Sequence, residues 1–123
     1  MRILVIEDDA FLRKAYEVSL RNHGFEVSLA SDGENGLRMA ESIRPDAILL
    51  DMLLPVLNGV EVLRRTKSNA KIADIPVIVF SVAGEAEDIG SVMELGATAY
   101  FSKLDTDLNE LCRKIHAILT TSP

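Results

Sequence analysis

The chain has 123 residues, of which 48% are apolar and 26% charged. This is the size and usage of one globular domain, taken as residues 1–123, and it excludes a disordered tail or a collagen-like rod. Nineteen acidic residues against 13 basic ones give a net charge of −6, which argues against direct binding of nucleic acid or of an anionic membrane surface. One cysteine, Cys112, excludes an internal disulfide and suggests a reducing compartment. No apolar run approaches the ~18 residues of a membrane span. Met1-Arg2-Ile3-Leu4 enters an apolar stretch at once, without the pattern of a signal peptide. A soluble cytoplasmic protein is the expectation.

Along the chain, short apolar runs alternate with amphipathic stretches. Ile3-Leu4-Val5-Ile6 reads as a strand buried on both faces. Residues 10–22 read as a helix with Phe11, Leu12, Ala15, Val18 and Leu20 apolar, stopped near Gly24. The segment Phe25 to Ala30 alternates with period two and suits a half-exposed strand. A helix follows over about 34–43 and ends at Pro45. Ala47-Ile48-Leu49-Leu50 is a second buried run and ends at Asp51. Beyond a loop holding Pro55, a helix is predicted near 59–69. Residues 76–81 form the fourth strand, 85–95 the fourth helix closed by Gly96, and 99–102 the fifth strand. Asp105 or Thr106 can cap the last helix, which carries Leu108, Leu111, Cys112, Ile115, Ile118 and Leu119 on one stripe. Residues 120–123 read as either a free end or the start of a linker.

Five strand–helix units of this length imply an α/β fold with a parallel sheet and helices on both faces. In such sheets the functional crevice lies beyond the carboxyl ends of the strands. The first strand ends in Glu7-Asp8-Asp9, the third in Asp51, the fourth in Ser81 and the fifth in Ser102-Lys103. The second ends without charge. If it lies at an edge, the other four ends converge.

One acid of the first cluster can cap a helix. Three in a row, with a fourth nearby, must take up protons or hold a cation. An oxygen-only donor set selects Mg²⁺, Ca²⁺ or Mn²⁺ over zinc. A carboxylate held beside a divalent ion and an ammonium stays ionised and can act as a nucleophile toward phosphorus. Lys103 can offer a point charge to a phosphoryl oxygen, and Ser81 a hydroxyl donor.

The run Ile3 to Asp9, then Asp51-Met52-Leu53-Leu54-Pro55 with Gly59, then Ser81, then Gly96-Ala97 with Tyr100 and Lys103, resembles the receiver domain of two-component response regulators over essentially the whole chain. The resemblance implies a flavodoxin-like sheet with strand order 2-1-3-4-5 and five helices. It implies that Asp51 is the phosphoacceptor, that Glu7 and Asp8 position Mg²⁺ (Mn²⁺ as a substitute), and that Asp51 and the backbone carbonyl of Leu53 complete the ligands. Asp9 matches a variable third acid. Lys103 matches the lysine that contacts the phosphoryl group, Ser81 the hydroxyl that moves to bond it, and Tyr100 the aromatic that turns inward on activation. The implied partners are a histidine kinase or histidine phosphotransfer protein, a downstream effector domain or protein, and a second copy in a phosphorylation-dependent homodimer. The readout face would be the fourth helix, fifth strand and fifth helix. Such a domain is a signalling phosphoacceptor and not a turnover enzyme.

Two positions depart from the family pattern. Leu104 stands where many members have a proline after the lysine, so a trans peptide or a strained loop is expected. Val82 stands where a smaller residue is usual. Leu53 and Ala83 offer no polar group to orient water, so slow self-dephosphorylation is expected. Cys112 reads as a core residue. His23 fits a helix end and His116 faces solvent; Phe11 and Leu12 fit either core or a docking surface. An alternative is a pseudo-receiver that keeps the fold as an interaction module without being phosphorylated. A nucleotide or flavin protein would need a Gly-rich loop where Glu7-Asp8-Asp9-Ala10 stands. A phosphohydrolase would want an acid where Leu53 stands.

Overall fold

The structure, a computed structural model, describes residues 1–82 and 86–121, with the side chains of 86–88 left aside. Five strands, β1 (Arg2–Ile6), β2 (Glu26–Ala30), β3 (Ala47–Leu50), β4 (Val77–Ser81) and β5 (Ala99–Ser102), alternate with helices. The helices are α1 (Ala10–Asn22), α2 (Gly33–Ile43), α3 (Gly59–Ser68), α4 (Ala86–Glu94) and α5 (Leu108–Thr120). All strand pairs are parallel and the order is β2-β1-β3-β4-β5. The predicted order and the edge position of β2 both hold. Of the residues assigned by sequence to the fourth helix and the C-terminal end, 85, 122 and 123 lie outside the described residues, as does Ala83.

Alternate residues of each central strand feed two separate cores, as the two-residue period of a strand requires. Leu4, Ile6, Ile48, Leu50, Val77 and Val79 face α2, α3 and α4, and meet Ala40, Val62, Leu63 and Val92. Ile3, Val5, Leu49, Ile78 and Phe80 face α1 and α5, and meet Tyr16, Leu20, Leu111, Cys112 and Ile115. Because β1, β3 and β4 lie between two helical layers, their apolar runs are continuous. The chain reverses after α1 and α4 through Gly24 and Gly96, whose φ angles of +91° and +105° a side chain rarely tolerates. Pro45 follows a left-handed cap at Arg44.

Two helical details differ from the sequence expectation. The apolar pattern puts the stripe of α1 on Phe11, Leu12, Ala15, Val18 and Leu20, but the buried residues are Tyr16 and Leu20. Leu12, Tyr16 and Leu20 follow the i, i+4, i+8 line of one helical face, whereas Phe11, 80% exposed, and Val18 point to water. The cap of α5 is neither Asp105 nor Thr106 but Asp107, which accepts from the Glu110 amide at 2.8 Å. Asp105 and Thr106 belong to the turn after β5, where the amides of both donate to the Ser102 carbonyl.

Cys112 is a buried free thiol 3.4 Å from the Ser19 hydroxyl. Burial pushes its pKa above the ordinary thiol value, against a smaller opposing pull from Ser19. The thiolate is the reactive form, so the folded protein is expected to resist thiol reagents at pH 8. Its labelling rate should rise with pH and jump on unfolding in urea; timed alkylation with and without urea measures this. Equal rates in both states would mean that Cys112 is not enclosed by α5 and α1.

Candidate functional site

The register of the sheet sets the site. Pairing of Ile6 with Leu50 puts the residues after them, Glu7 and Asp51, side by side. Pairing of Ser81 with Ser102 leaves Lys103 just past the sheet end, where its amide donates to the Ser81 carbonyl at 2.9 Å. A group bound at these ends meets chain segments 96 residues apart in sequence.

Asp51 is buried and each carboxylate oxygen is held. Its Oδ1 accepts from the Ser81 hydroxyl at 3.1 Å and from the Leu53 amide at 3.1 Å. Its Oδ2 accepts from Lys103 Nζ at 3.2 Å. Lys103 donates also to Glu7 Oε1 at 3.1 Å, and the other Glu7 oxygen accepts from the Asp9 amide at 3.2 Å. Glu7 is almost fully enclosed, whereas Asp8 is exposed at the pocket mouth. Burial pushes the Glu7 carboxyl above its usual value, against the opposing pull of the Asp9 amide and Lys103. On Lys103, burial works against the charge, but the nearby Tyr16 side chain and the negative field of Asp51 and Glu7 overcome it. The ammonium is held well above the usual lysine range.

Carboxylate oxygens of Glu7, Asp8 and Asp51 all lie within 4.8 Å of one another. Three oxygens so close, with one ammonium to offset them, could hold a hard divalent cation. The donor set contains neither His nor Cys and so fits Mg²⁺ or Mn²⁺. Asp9 turns away and caps α1 by accepting from the Leu12 amide at 3.0 Å. Arg13 braces the turn by donating to the carbonyls of Glu7, at 3.0 Å, and Asp8, at 3.3 Å. The loop after Asp51 closes back through Gly59, whose amide donates to the Met52 carbonyl. A Cβ on Gly59 would lie 2.6 Å from the Asp51 carbonyl oxygen and 2.4 Å from Met52 Cα, so only glycine lets α3 start so close to the acid.

The structure thus brings together Glu7, Asp8, Asp51, Ser81 and Lys103. Tyr100 lies on β5 outside this cluster. It is half-buried and lines, with Met52, Leu54 and Val92, a cavity of about 330 Å³ between the β3–α3 loop and α4. Leu53, Val82 and Leu104 stand exposed. Among the described residues every peptide bond is trans, the Lys103–Leu104 bond included, and the lysine still reaches Asp51. Sequence reasoning missed Tyr16 and Phe80, which flank the Lys103 ammonium with ring centroids 5.5 and 5.8 Å away. The i+4 line through Leu12 and Leu20 was the signal for Tyr16.

A doubly wound parallel sheet with an acidic pocket and a lysine at its carboxyl ends defines a flavodoxin-like α/β protein whose site suits a cation and a phosphoryl group. The family model described as "Response regulator receiver domain" matches residues 3–116. The chain belongs to that family. It is 42% identical over 118 residues to the transcriptional regulatory protein PrrA of Mycobacterium leprae, covering 96% of this chain and 49% of PrrA. It is 37% identical over 119 residues to the response regulator MprA of Mycobacterium avium, covering 97% of this chain and 51% of MprA. The chain therefore spans about half the length of the curated relatives it matches. Among solved structures, a response regulator receiver domain protein from Clostridium thermocellum superimposes with a TM-score of 0.86 at 28% identity, covering 96% of this chain and 93% of that one.

Proposed function

We propose that Asp51 accepts a phosphoryl group from the phosphohistidine of a histidine kinase or histidine phosphotransfer protein, and that the acyl phosphate switches an output surface. The observation that carries this reading is the fixing of one buried carboxylate by Ser81 and Lys103 on opposite oxygens, inside a cluster of three acids. Glu7, Asp8, Asp51 and the Leu53 carbonyl would hold Mg²⁺. The ion would offset the charge of the incoming phosphoryl oxygens.

The chain's own residues supply the rest. An Asp51 oxygen attacks phosphorus in line, the P–N bond of the phosphohistidine breaks, and the imidazole leaves with that electron pair. Lys103 neutralises charge on the phosphoryl oxygens, and Ser81 donates its hydroxyl to them. This is positioning and charge compensation, which is most of what phosphoryl transfer requires. Once Asp51 carries the phosphoryl group, its hydrogen bond from Ser81 is exchanged for one to that group. The cavity beside Tyr100 gives that ring room to turn inward as the state shifts.

The reading places the domain in the cytoplasm and outside the class of turnover enzymes. Its output would run through α4, β5 and α5 to an effector domain or a separate protein, with a phosphorylation-dependent homodimer as one form of readout. Incubation with acetyl phosphate and Mg²⁺, read by intact mass, tests it. One added phosphoryl group per chain, absent when Mg²⁺ is chelated, is expected. No uptake at saturating Mg²⁺ would leave a pseudo-receiver, an interaction module on the same fold.

A long phosphoryl lifetime is also expected. At the pocket rim Leu53 is 59% and Val82 44% exposed, and neither side chain can orient an attacking water. Decay of the phosphorylated mass after removal of acetyl phosphate should extend over many minutes. Decay within seconds in the presence of Mg²⁺ would contradict this.

A further inference from the structure

We infer that Tyr16 is a positioning residue for phosphoryl transfer: with Phe80 it forms an aromatic wall that keeps the Lys103 ammonium on the Asp51 carboxylate. The inference rests on the phosphoacceptor reading and adds to it a residue of α1 that lies outside the acidic cluster.

Tyr16 is 5% exposed and packs edge-on to Phe80, with centroids 5.7 Å apart and planes at 65°. The Lys103 ammonium sits against both rings while donating to its two carboxylate acceptors. Both ring distances fall within the ~6 Å reach of a cation–π attraction. The side chain of Lys103 is only 13% exposed, so water weakens this attraction little.

The wall adds to the two carboxylate bonds, because the lysine side chain restrains itself little. Its stem is a flexible chain of four carbons, and the next side chain, Leu104, is 77% exposed and packs little against the pocket. Beside the wall lies a cavity of about 350 Å³ lined by Phe11, Leu12, Thr106 and Leu108 as well as the two rings and Lys103. Without the Tyr16 ring the ammonium gains a second place to go. When Asp51 loses its charge to the acyl phosphate, Lys103 must pass to the phosphoryl oxygens. The aromatic wall confines that movement to the pocket.

The test compares Tyr16→Leu and Tyr16→Phe with the unsubstituted chain. The measured quantity is the rate constant for phosphorylation by acetyl phosphate at saturating Mg²⁺, after thermal melts confirm folding. Tyr16→Leu is expected to slow phosphorylation about 3- to 10-fold, as loss of a cation–π contact would. Tyr16→Phe, which keeps the ring, should stay within about twofold.

A second measurement separates positioning from mere packing and does not depend on Tyr16→Leu folding. The chain has no tryptophan and two tyrosines, so in a Tyr100→Phe background Tyr16 dominates the emission. That emission should change when Mg²⁺ and beryllofluoride draw Lys103 toward the phosphoryl mimic, and a further Lys103→Met change should abolish the response. Equal phosphorylation rates in Tyr16→Leu and the unsubstituted chain, or an emission indifferent to both beryllofluoride and Lys103, would overturn the inference. Failure of the underlying reading looks different: the unsubstituted chain itself takes up no phosphoryl group.

Discussion

Asp51→Asn is expected to abolish phosphoryl uptake while leaving the fold intact. The amide occupies nearly the same volume, and its oxygen can still accept from the Leu53 amide and the Ser81 hydroxyl that now hold Oδ1. The amide nitrogen then faces Lys103 Nζ, a donor against a donor, where Oδ2 accepted at 3.2 Å. More consequentially, a neutral amide is a poor nucleophile, so the substitution removes the atom that must bond to phosphorus. Phosphorylation by acetyl phosphate should fall more than about 10³-fold, to below detection by intact mass. The cluster also loses one of its three carboxylates, so Mg²⁺ should bind more weakly. A phosphorylated mass in the Asp51→Asn variant at the original rate would show that the acceptor lies elsewhere.

Much of this site was legible because it lies at strand ends, and strands announce themselves. Apolar runs such as Ile3 to Ile6 and Ala47 to Leu50 have few alternatives to burial in a parallel sheet, and the residue after each run must stand at the sheet's carboxyl edge. Glu7, Asp51, Ser81 and Lys103 are therefore placed by pattern alone. Their convergence needed the strand order, which came from the family resemblance and not from periodicity. Helix phase and contacts across elements are what sequence did not show. Val18 and Tyr16 are two positions apart on α1, yet one faces water and the other lies beside the lysine; apolar character alone favours Val18, and only the i+4 line through Leu12 and Leu20 points to Tyr16. The cap of α5 depended on how many residues the turn after β5 consumes, which the hydrogen bonds to the Ser102 carbonyl decide. Phe80 reads as strand core, but its contact with a lysine from a different strand end has no signature along the chain.

Lys103→Met is expected to damage both transfer and stability, and the two losses should respond differently to Mg²⁺. The substitution keeps a stem that can pack beside Tyr16 and Phe80 but leaves Glu7 and Asp51 buried without a counter-charge. Removing one partner of a buried ion pair costs on the order of 3–5 kcal/mol, because the remaining charge stays desolvated. Urea melts without divalent ions should show a loss of about that order. A cation held among Glu7, Asp8 and Asp51 replaces part of the lost charge, so Mg²⁺ should stabilise the variant more than it stabilises the unsubstituted chain. Phosphorylation should not recover with it. The ammonium reaches Asp51 from the end of β5, whereas a cation held by Glu7, Asp8 and Asp51 would lie among the acids that follow β1 and β3, and one ion cannot serve both places. A variant as stable as the original in the absence of Mg²⁺ would mean that the Lys103 bonds to Glu7 and Asp51 are dispensable. Full phosphorylation at saturating Mg²⁺ would mean that charge alone, not its placement by Lys103, is what Asp51 needs.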